Sequence, residues 1–127
     1  APSAIDAPNA YADPAATAPA DGYEIPTRLA EAVRLRSPLD AFPYATGTSR
    51  RMDLDHTQPY LHPDQGGPPG QTRTANLAPL TRRHHRIKTH PGWAVAQPFD
   101  GVLVWRSPHS RHYLVDHTGT TKATTAA

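Results

Sequence analysis

The sequence contains no cysteine and no apolar run that approaches the length of a membrane-spanning helix. The lack of cysteine excludes disulfides and thiolate metal sites, and it leaves the redox compartment open. The first residues also lack the charged and apolar regions of a signal peptide, so we expect no membrane association and a cytoplasmic location. Because the chain begins with Ala, we expect that an upstream domain of a longer protein is missing.

Acidic residues are scarce in one part of the chain. Residues 1–49 carry 3 Lys and Arg against 6 Asp and Glu, whereas residues 50–127 carry 10 against 5 and contain all 8 histidines. A net charge of −3 is thus followed by a net charge of +5. Such a basic segment is typical of proteins with phosphate-bearing partners, although a solvated basic surface explains the charge equally well.

The ends of the chain have the composition of unfolded segments. Residues 1–22 are Ala, Pro and Asp with little apolar surface to bury, so we expect a disordered linker. Residues 23–36 are predicted to form a short helix that opens a folded domain over residues 23–117. Residues 118–127, rich in Thr and Ala, are expected to form a flexible tail. Four residues share one face of the predicted helix: Leu29, Ala32, Val33 and Arg36.

The middle of the chain alternates between ordered and irregular patterns. The stretch RMDLDH at residues 51–56 alternates and is predicted to form a strand. Residues 57–75 contain four prolines and three glycines, which predicts a long irregular loop. Asn76 then suits the N-cap of a helix that runs to about Lys88. Period-2 runs in the C-terminal part predict a hairpin or small meander, with FDG as its turn.

An acid and an imidazole, Asp55 and His56, stand side by side at the end of the predicted strand. Asp55 offers a hard oxygen ligand, and His85 on the following helix offers a nitrogen ligand. A divalent cation held by one of each keeps open positions for water and phosphate oxygens, and a neutral histidine beside it could act as general base. A metal-assisted phosphodiesterase needs these residue types. Histidine pairs on basic helices, however, more often lie on the surface. Four basic residues of that helix could hold a phosphate backbone or form a solvated face: Arg82, Arg83, Arg86 and Lys88.

The identity and order of these residues resemble the HNH endonuclease motif. The chain reads DLDHTQPY and then TANLAPLTRRHHRIKTH, as in a motif where Asp-His ends a strand, Asn opens the next segment and His lies on a helix. The phrases YEIPTRLAEAVRLRSP, FPY, GW and VLVWRSP are similar to those of bacterial proteins that carry a long domain of unknown function ahead of a C-terminal HNH domain. The resemblance covers roughly residues 23–113.

The resemblance implies a small α+β protein of the ββα-metal class, with an N-terminal short helix and a C-terminal hairpin or meander. It implies hydrolysis of DNA, bound mostly through its phosphates, with Mg²⁺ or another divalent cation such as Mn²⁺, Zn²⁺ or Ni²⁺. A DNA-bound protein would be associated with the nucleoid. The catalytic residues carried over are His56, the general base, and Asn76, which fixes the loop of that histidine. Asp55 and His85 match the metal ligands, the spacing favouring His85 over His84.

The chain departs from these relatives at a structural zinc site. The cysteine positions of that site correspond here to Asp40, Ala45 and Thr81, and only His84 is retained, so we expect no structural zinc. This loss motivates a rival interpretation, a degenerate HNH fold that binds nucleic acid or a protein partner without cleavage. A third interpretation is a histidine-rich metal-binding module, whose affinity for metal would not depend on Asp55.

Overall fold

The computed structural model describes residues 17–48, 52–89 and 92–123. These ranges form an α+β fold, as the sequence predicts, and its strands form two antiparallel sheets. The main elements, in chain order, are α1 (Thr27–Arg36), β1 (Asp53–His56), β2 (Leu77–Leu80), α2 (Arg82–Lys88), β3 (Ala94–Phe99), β4 (Val102–Arg106), β5 (His112–Asp116) and β6 (Gly119–Lys122). Two short 3₁₀ helices, Pro63–Gln65 and Thr74–Asn76, lie between β1 and β2. No helix in the described ranges is long and apolar enough to cross a membrane.

Helix α1 packs an apolar face into the fold, and it begins four residues later than predicted because an extended proline precedes its first turn. Leu29, Ala32 and Val33 are fully buried, as their i, i+3, i+4 spacing requires. Leu29 and Val33 form a cluster with Leu77 of β2. Arg36 lies on the same face, at the last position of the helix, and its side chain is only 8% exposed. The predicted face of this helix is therefore confirmed.

Strand β2 replaces the first half of the helix that was predicted to begin at Asn76, so that prediction is wrong. The strand pairs antiparallel with β1, with Asp53 opposite Leu80 and His56 opposite Leu77. All four residues of β2 are buried. A strand buried on both faces reads as an unbroken apolar run, and its leucines three residues apart imitate helical spacing. Helix α2 begins only after the threonine that follows β2 and serves as its N-cap.

Strands β3 to β6 form a meander in which each strand pairs with the next. The predicted turn is confirmed, because Asp100 and Gly101 connect β3 to β4 and Gly101 has a φ of 81°, which favours glycine. Strand β6 shows that the flexible tail does not begin at residue 118, since Gly119–Lys122 pairs with β5. Its β-branched threonines suit a strand, which the search for apolar alternation did not detect. Residues 124–127 lie outside the described residues.

A mostly buried arginine joins the two sheets. The guanidinium of Arg36 donates hydrogen bonds to the backbone oxygens of Thr74 (2.5 Å) and Leu77 (2.7 Å). It also forms an ion pair of 2.5 Å with Asp100 in the β3–β4 turn. The hydroxyl of Thr74 donates to the other oxygen of Asp100 at 2.9 Å, and Gln97 of β3 donates to the Leu77 oxygen at 3.3 Å. The meander is thereby fixed against β2 and α1.

The core between β2 and the meander is aromatic. Trp105 of β4 is fully buried, and its Nε1 donates a hydrogen bond of 2.9 Å to the backbone oxygen of Ala41. The ring of Phe42 lies 4.9 Å from that of Trp93 and 5.0 Å from that of Trp105, centroid to centroid. These rings pack against Leu80 and other apolar residues of the same cluster. This core supports β2 from the side opposite α1.

A buried aspartate connects the loop after α1 to helix α2. The carboxylate of Asp40 accepts hydrogen bonds from the backbone nitrogens of Phe42 (2.9 Å) and Thr81 (3.1 Å). The Nδ1 atom of His84 lies 2.6 Å from the same carboxylate. The imidazole of His84 also stacks on Phe42, with centroids 4.3 Å apart. Positions that the resemblance associates with zinc are thus linked directly by hydrogen bonds.

We expect Asp40→Ala to lower the free energy of unfolding by about 3 kcal/mol, because it leaves two backbone N–H groups and the His84 ring without their acceptor. Equilibrium denaturation in urea measures this change. Asp64→Ala provides the control, because the Asp64 side chain is 89% exposed and its removal should change stability by less than about 0.5 kcal/mol. A loss no larger than that of the control would contradict the structural role of Asp40.

Candidate functional site

Strand β1 directs its carboxylates and its histidine to opposite faces. Side chains alternate along a strand, so Asp53 and Asp55 share one face while Leu54 and His56 share the other. Both carboxylates approach His85 of α2. Leu54 packs against the apolar cluster beneath α1. The adjacent Asp55 and His56 therefore have different surroundings.

The structure brings Asp55 and His85 together. The Nε2 atom of His85 lies 3.1 Å from Oδ1 of Asp55. Two ligands that bind one cation at about 2.1 Å and at a right angle are about 3 Å apart, so the pair fits a single divalent ion. In the described part of the chain, no group of three or more His, Cys, Asp or Glu side chains could hold a metal ion. A cation at this pair would therefore take its other ligands from water or substrate.

The second oxygen of Asp55 is in contact with Lys88. The ammonium group of Lys88 donates to Oδ2 of Asp55 and, at 2.7 Å, to the backbone oxygen of His56. The two charged side chains are only 12% and 13% exposed. Lys88 therefore lies inside the site, where it balances the charge of Asp55. Its predicted contact with a phosphate stays a prediction.

Asp53 orients His85, and no motif in the sequence pointed to it. Its Oδ2 lies 3.4 Å from Nδ1 of His85 and 4.0 Å from Nε of Arg82. A carboxylate thus lies near each ring nitrogen of His85, and a cation bound at Nε2 would leave the ring proton on Nδ1, beside Asp53. The signal that could have revealed Asp53 is its spacing of two residues from Asp55 on a strand, since this spacing places both on one face.

His56 is enclosed by aromatic rings and is only 6% exposed. The ring of Tyr23 stacks on it with centroids 5.5 Å apart, and the ring of Tyr60 lies at 5.7 Å in a tilted arrangement. The Nε2 atom of His56 lies 2.9 Å from the hydroxyl oxygen of Thr72. The sequence did not indicate these partners, because all three lie in irregular segments without periodicity.

Burial determines the protonation of His56. It lowers the pKa of His56 below its ordinary value, because removal from water disfavours the charged imidazolium. The nearby Asp55 carboxylate opposes this change, and the Lys88 ammonium reinforces it. The balance keeps the imidazole neutral near neutral pH, which is the state that a general base requires.

Asn76 is the last residue of the second 3₁₀ helix, and its side chain connects two segments of the loop between β1 and β2. Its Oδ1 accepts a hydrogen bond of 2.8 Å from the backbone nitrogen of Gln58, and its Nδ2 donates one of 2.9 Å to the backbone oxygen of Gln71. Its own backbone oxygen accepts from Thr57 at 2.8 Å. Asn76 is therefore not the N-cap predicted from the sequence, since its side chain holds the backbone that follows His56.

The end of the predicted linker packs onto the same loop. Ala20 and Thr72 exchange two backbone hydrogen bonds of 2.8 and 3.1 Å. The hydroxyl of Thr72 donates at 2.5 Å to the backbone oxygen of Gly22. The linker boundary at residue 22 is therefore placed too late, because backbone groups find partners here that composition cannot reveal. Residues 1–16 lie outside the described residues.

Exposed arginines lie on the helix that carries His85 and next to Thr72 in the loop. The predicted phosphate contacts Arg82, Arg83 and Arg86 all lie on the exposed surface of α2. Arg82 is near Asp53, whereas Arg83 and Arg86 form no side-chain ion pair within the described ranges. Arg73, next to Thr72, is likewise exposed and without an ion pair there, and the sequence interpretation did not include it.

Comparison with known proteins finds relatives in Mycobacterium tuberculosis H37Rv. The chain is 37% identical to the uncharacterized protein Rv3776 over 92 residues, which are 72% of this chain and 16% of that protein. It is 34% identical to the uncharacterized protein Rv2100 over the same shares. The chain thus spans 16% of the length of these curated relatives, and their names state no activity. No family model matches the chain, and no solved structure matches it.

We expect an NMR titration of the metal-free protein to give His56 a pKa below the ordinary value of about 6.5. The unfolded chain would then take up this proton at a higher pH than the folded chain, so His56 lowers stability as the pH falls below that value. Asp55→Asn should lower the pKa of His56 further, and Lys88→Met should raise it. A pKa above the ordinary value in the parent would contradict the effect of burial.

Proposed function

We propose that this protein is a divalent-metal-dependent endonuclease of the HNH type, which hydrolyses DNA phosphodiester bonds. The observation that carries the proposal is the 3.1 Å separation between Asp55 Oδ1 and His85 Nε2, adjacent to the enclosed His56. The resemblance assigns metal binding to the first two residues and the general base to the third. A long irregular loop separates Asp55 from His85 in sequence, so the convergence of these two residues is an independent argument.

The order of the elements supports the ββα-metal class. Strands β1 and β2 pair antiparallel, and α2 follows β2 after a single residue. Asp55 and His56 lie at the end of the first strand, and His85 lies on the helix, as the motif requires. The N-terminal helix and the C-terminal meander then correspond to α1 and to β3 to β6.

In this proposal, His56 takes a proton from the attacking water while its imidazole is neutral. Asp55 and His85 would hold the divalent cation, which when bound stabilises charge on the scissile phosphate and on the leaving 3′ oxygen. Asn76 keeps the loop after His56 in one conformation, so that the imidazole stays in position for an in-line attack. Lys88 balances the charge of Asp55 and also binds the backbone of His56.

The charge distribution supports nucleic acid as the partner. Residues 50–127 carry a net charge of +5, and the arginines of α2 remain exposed beside the site. Phosphate contacts of this kind supply affinity without sequence information, so we propose mostly non-specific binding. A DNA-bound protein of this type would act at the nucleoid.

One observation favours the rival function, binding without cleavage. Lys88 already contacts Oδ2 of Asp55, so an internal ammonium group balances the carboxylate charge that would otherwise attract the proposed cation. A protein that had exchanged its metal for this lysine would keep its fold and its basic surface. Cleavage assays distinguish the two functions.

We expect the parent protein to nick supercoiled plasmid with Mg²⁺ or Mn²⁺ and to be inactive with a chelator. His56→Ala should reduce the rate by a factor of about 10²–10⁴, because it removes the general base. Gel-based time courses of nicking measure both rates. His109→Ala should leave the rate unchanged, since His109 is an exposed histidine of the β4–β5 turn without a side-chain hydrogen bond or ion pair in the described ranges.

The same variants separate the three functions. His56→Ala should still retard DNA, and Asp55→Asn should weaken Mn²⁺ binding in calorimetry. Parental nicking by His56→Ala would refute the general-base assignment. A parent that retards DNA but does not nick it, whichever divalent cation is added, would favour the rival. Mn²⁺ binding that is unchanged in Asp55→Asn would favour the histidine-rich metal-binding module.

We expect Arg83→Ala and Arg86→Ala to weaken binding equally for duplexes of unrelated sequence, because each removes a phosphate contact. Each should reduce the slope of log affinity against log salt by about 0.9. Fluorescence anisotropy at several salt concentrations measures this slope. Arg34→Ala removes the same charge from the exposed surface of α1 and should not change it. An equal effect of Arg34→Ala would show that net charge alone determines binding.

A further inference from the structure

The hydroxyl of Thr72 lies between the imidazole of His56 and a backbone carbonyl. Its oxygen is 2.5 Å from the backbone oxygen of Gly22 and 2.9 Å from Nε2 of His56. A hydroxyl has one proton, and a carbonyl oxygen only accepts. The Thr72 proton must therefore lie on the contact with Gly22. The contact with His56 is then a hydrogen bond only if Nε2 of the imidazole carries a proton and donates it.

We infer that Thr72 is a positioning residue that holds the neutral His56 in its Nε2–H tautomer, so that Nδ1 keeps the lone pair that accepts the proton of water. This inference rests on the proposed nuclease function, which it deepens. The resemblance assigns no role to Thr72 or to Gly22. Both act through the imidazole and need not touch the substrate.

The surroundings of Thr72 leave its hydroxyl little freedom. Thr72 is fully buried, and its backbone pairs with Ala20 through two hydrogen bonds. The β-branched side chain has few rotamers, so a fixed backbone also fixes the direction of the hydroxyl. Tyr23 follows Gly22 directly and stacks on the face of His56. The segment from Ala20 to Tyr23 thus supplies both the carbonyl acceptor and one wall around the imidazole.

The other imidazole nitrogen, Nδ1, has no hydrogen bond to a described residue. No described residue forms a hydrogen bond with Nδ1 of His56, whose only side-chain hydrogen bond is the one at Nε2. In the described ranges, every fully buried side-chain nitrogen or oxygen has a hydrogen-bond partner. Among the described residues, Nδ1 is therefore the ring nitrogen left without a hydrogen bond, and in the proposed reaction it would accept the proton of water.

The tautomer can be measured without cleavage or metal. Long-range ¹H–¹⁵N spectra of the metal-free parent at about pH 8 distinguish a protonated Nε2 from a protonated Nδ1, because histidine is neutral there. The spectrum of His56→Ala identifies which signals belong to this residue. We expect a single tautomer with the proton on Nε2. A proton on Nδ1 would overturn the inference, whether or not the protein cleaves DNA.

Two substitutions then test the catalytic consequence. Thr72→Val keeps the shape but removes the hydroxyl, and it should lower kcat by about 10–100-fold with little change in KM for DNA. It should also introduce the Nδ1–H tautomer, since the buried Nε2–H loses its acceptor. Thr72→Ser keeps the hydroxyl and should restore both the rate and the single tautomer. Circular dichroism and thermal melts confirm that both variants are folded.

The possible outcomes separate this inference from the proposed function. A folded Thr72→Val variant with parental kcat, or a Thr72→Ser variant as slow as Thr72→Val, would overturn the positioning role. If Thr72→Val does not fold, the parent spectrum and the rate of Thr72→Ser still decide the inference. A parent that does not cleave DNA would overturn the proposed function, and the catalytic role of the hydroxyl with it, whichever tautomer is observed.

Discussion

The guanidinium of Arg36 is the connection on which the arrangement of this fold depends. It extends from the buried face of α1 to the backbone oxygens of Thr74 and Leu77. It also pairs with Asp100 of the meander. Arginine suits this position because its planar group donates in several directions at once. Its fixed charge is matched by one carboxylate and two carbonyl oxygens, so it can be buried. Because β2 is the partner of β1, the position of the proposed metal ligands depends on this contact.

A second connection lies at the positions where the resemblance implies a structural zinc site. Asp40 binds the first turn of α2 and the ring of His84, and Phe42 stacks on that ring. A metal site would hold the same segments through bonds to four ligands. Here a carboxylate, a backbone N–H group and an imidazole hold them instead, above a core that contains Trp105. The position of α2, and with it that of His85, is therefore determined by hydrogen bonds among Asp40, Thr81 and His84 in place of bonds to zinc.

Hydrophobic periodicity predicted α1, β1 and the β3–β4 hairpin, because apolar residues recur at the period of a helix or of a strand in each of these elements. It failed at β2, which is buried on both faces and so has no alternation to detect. It also failed at β6, where threonines replace apolar residues. The order of residues in the motif predicted the principal site residues, but it did not point to Thr72 or Asp53. Their roles depend on partners that only the folded backbone brings close, and Thr72 meets His56 from within a loop that has no period.

The two histidines of the proposed site are oriented in opposite senses. His85 faces the carboxylate of Asp53 with Nδ1 and turns Nε2 towards Asp55. His56 contacts the hydroxyl of Thr72 with Nε2, and no described residue forms a hydrogen bond with its Nδ1. The alternation of β1 places Asp55 and His56 on opposite faces of the strand. The proposed nuclease would therefore use Nε2 of His85 as a metal ligand and Nδ1 of His56 as a proton acceptor, each through a free lone pair.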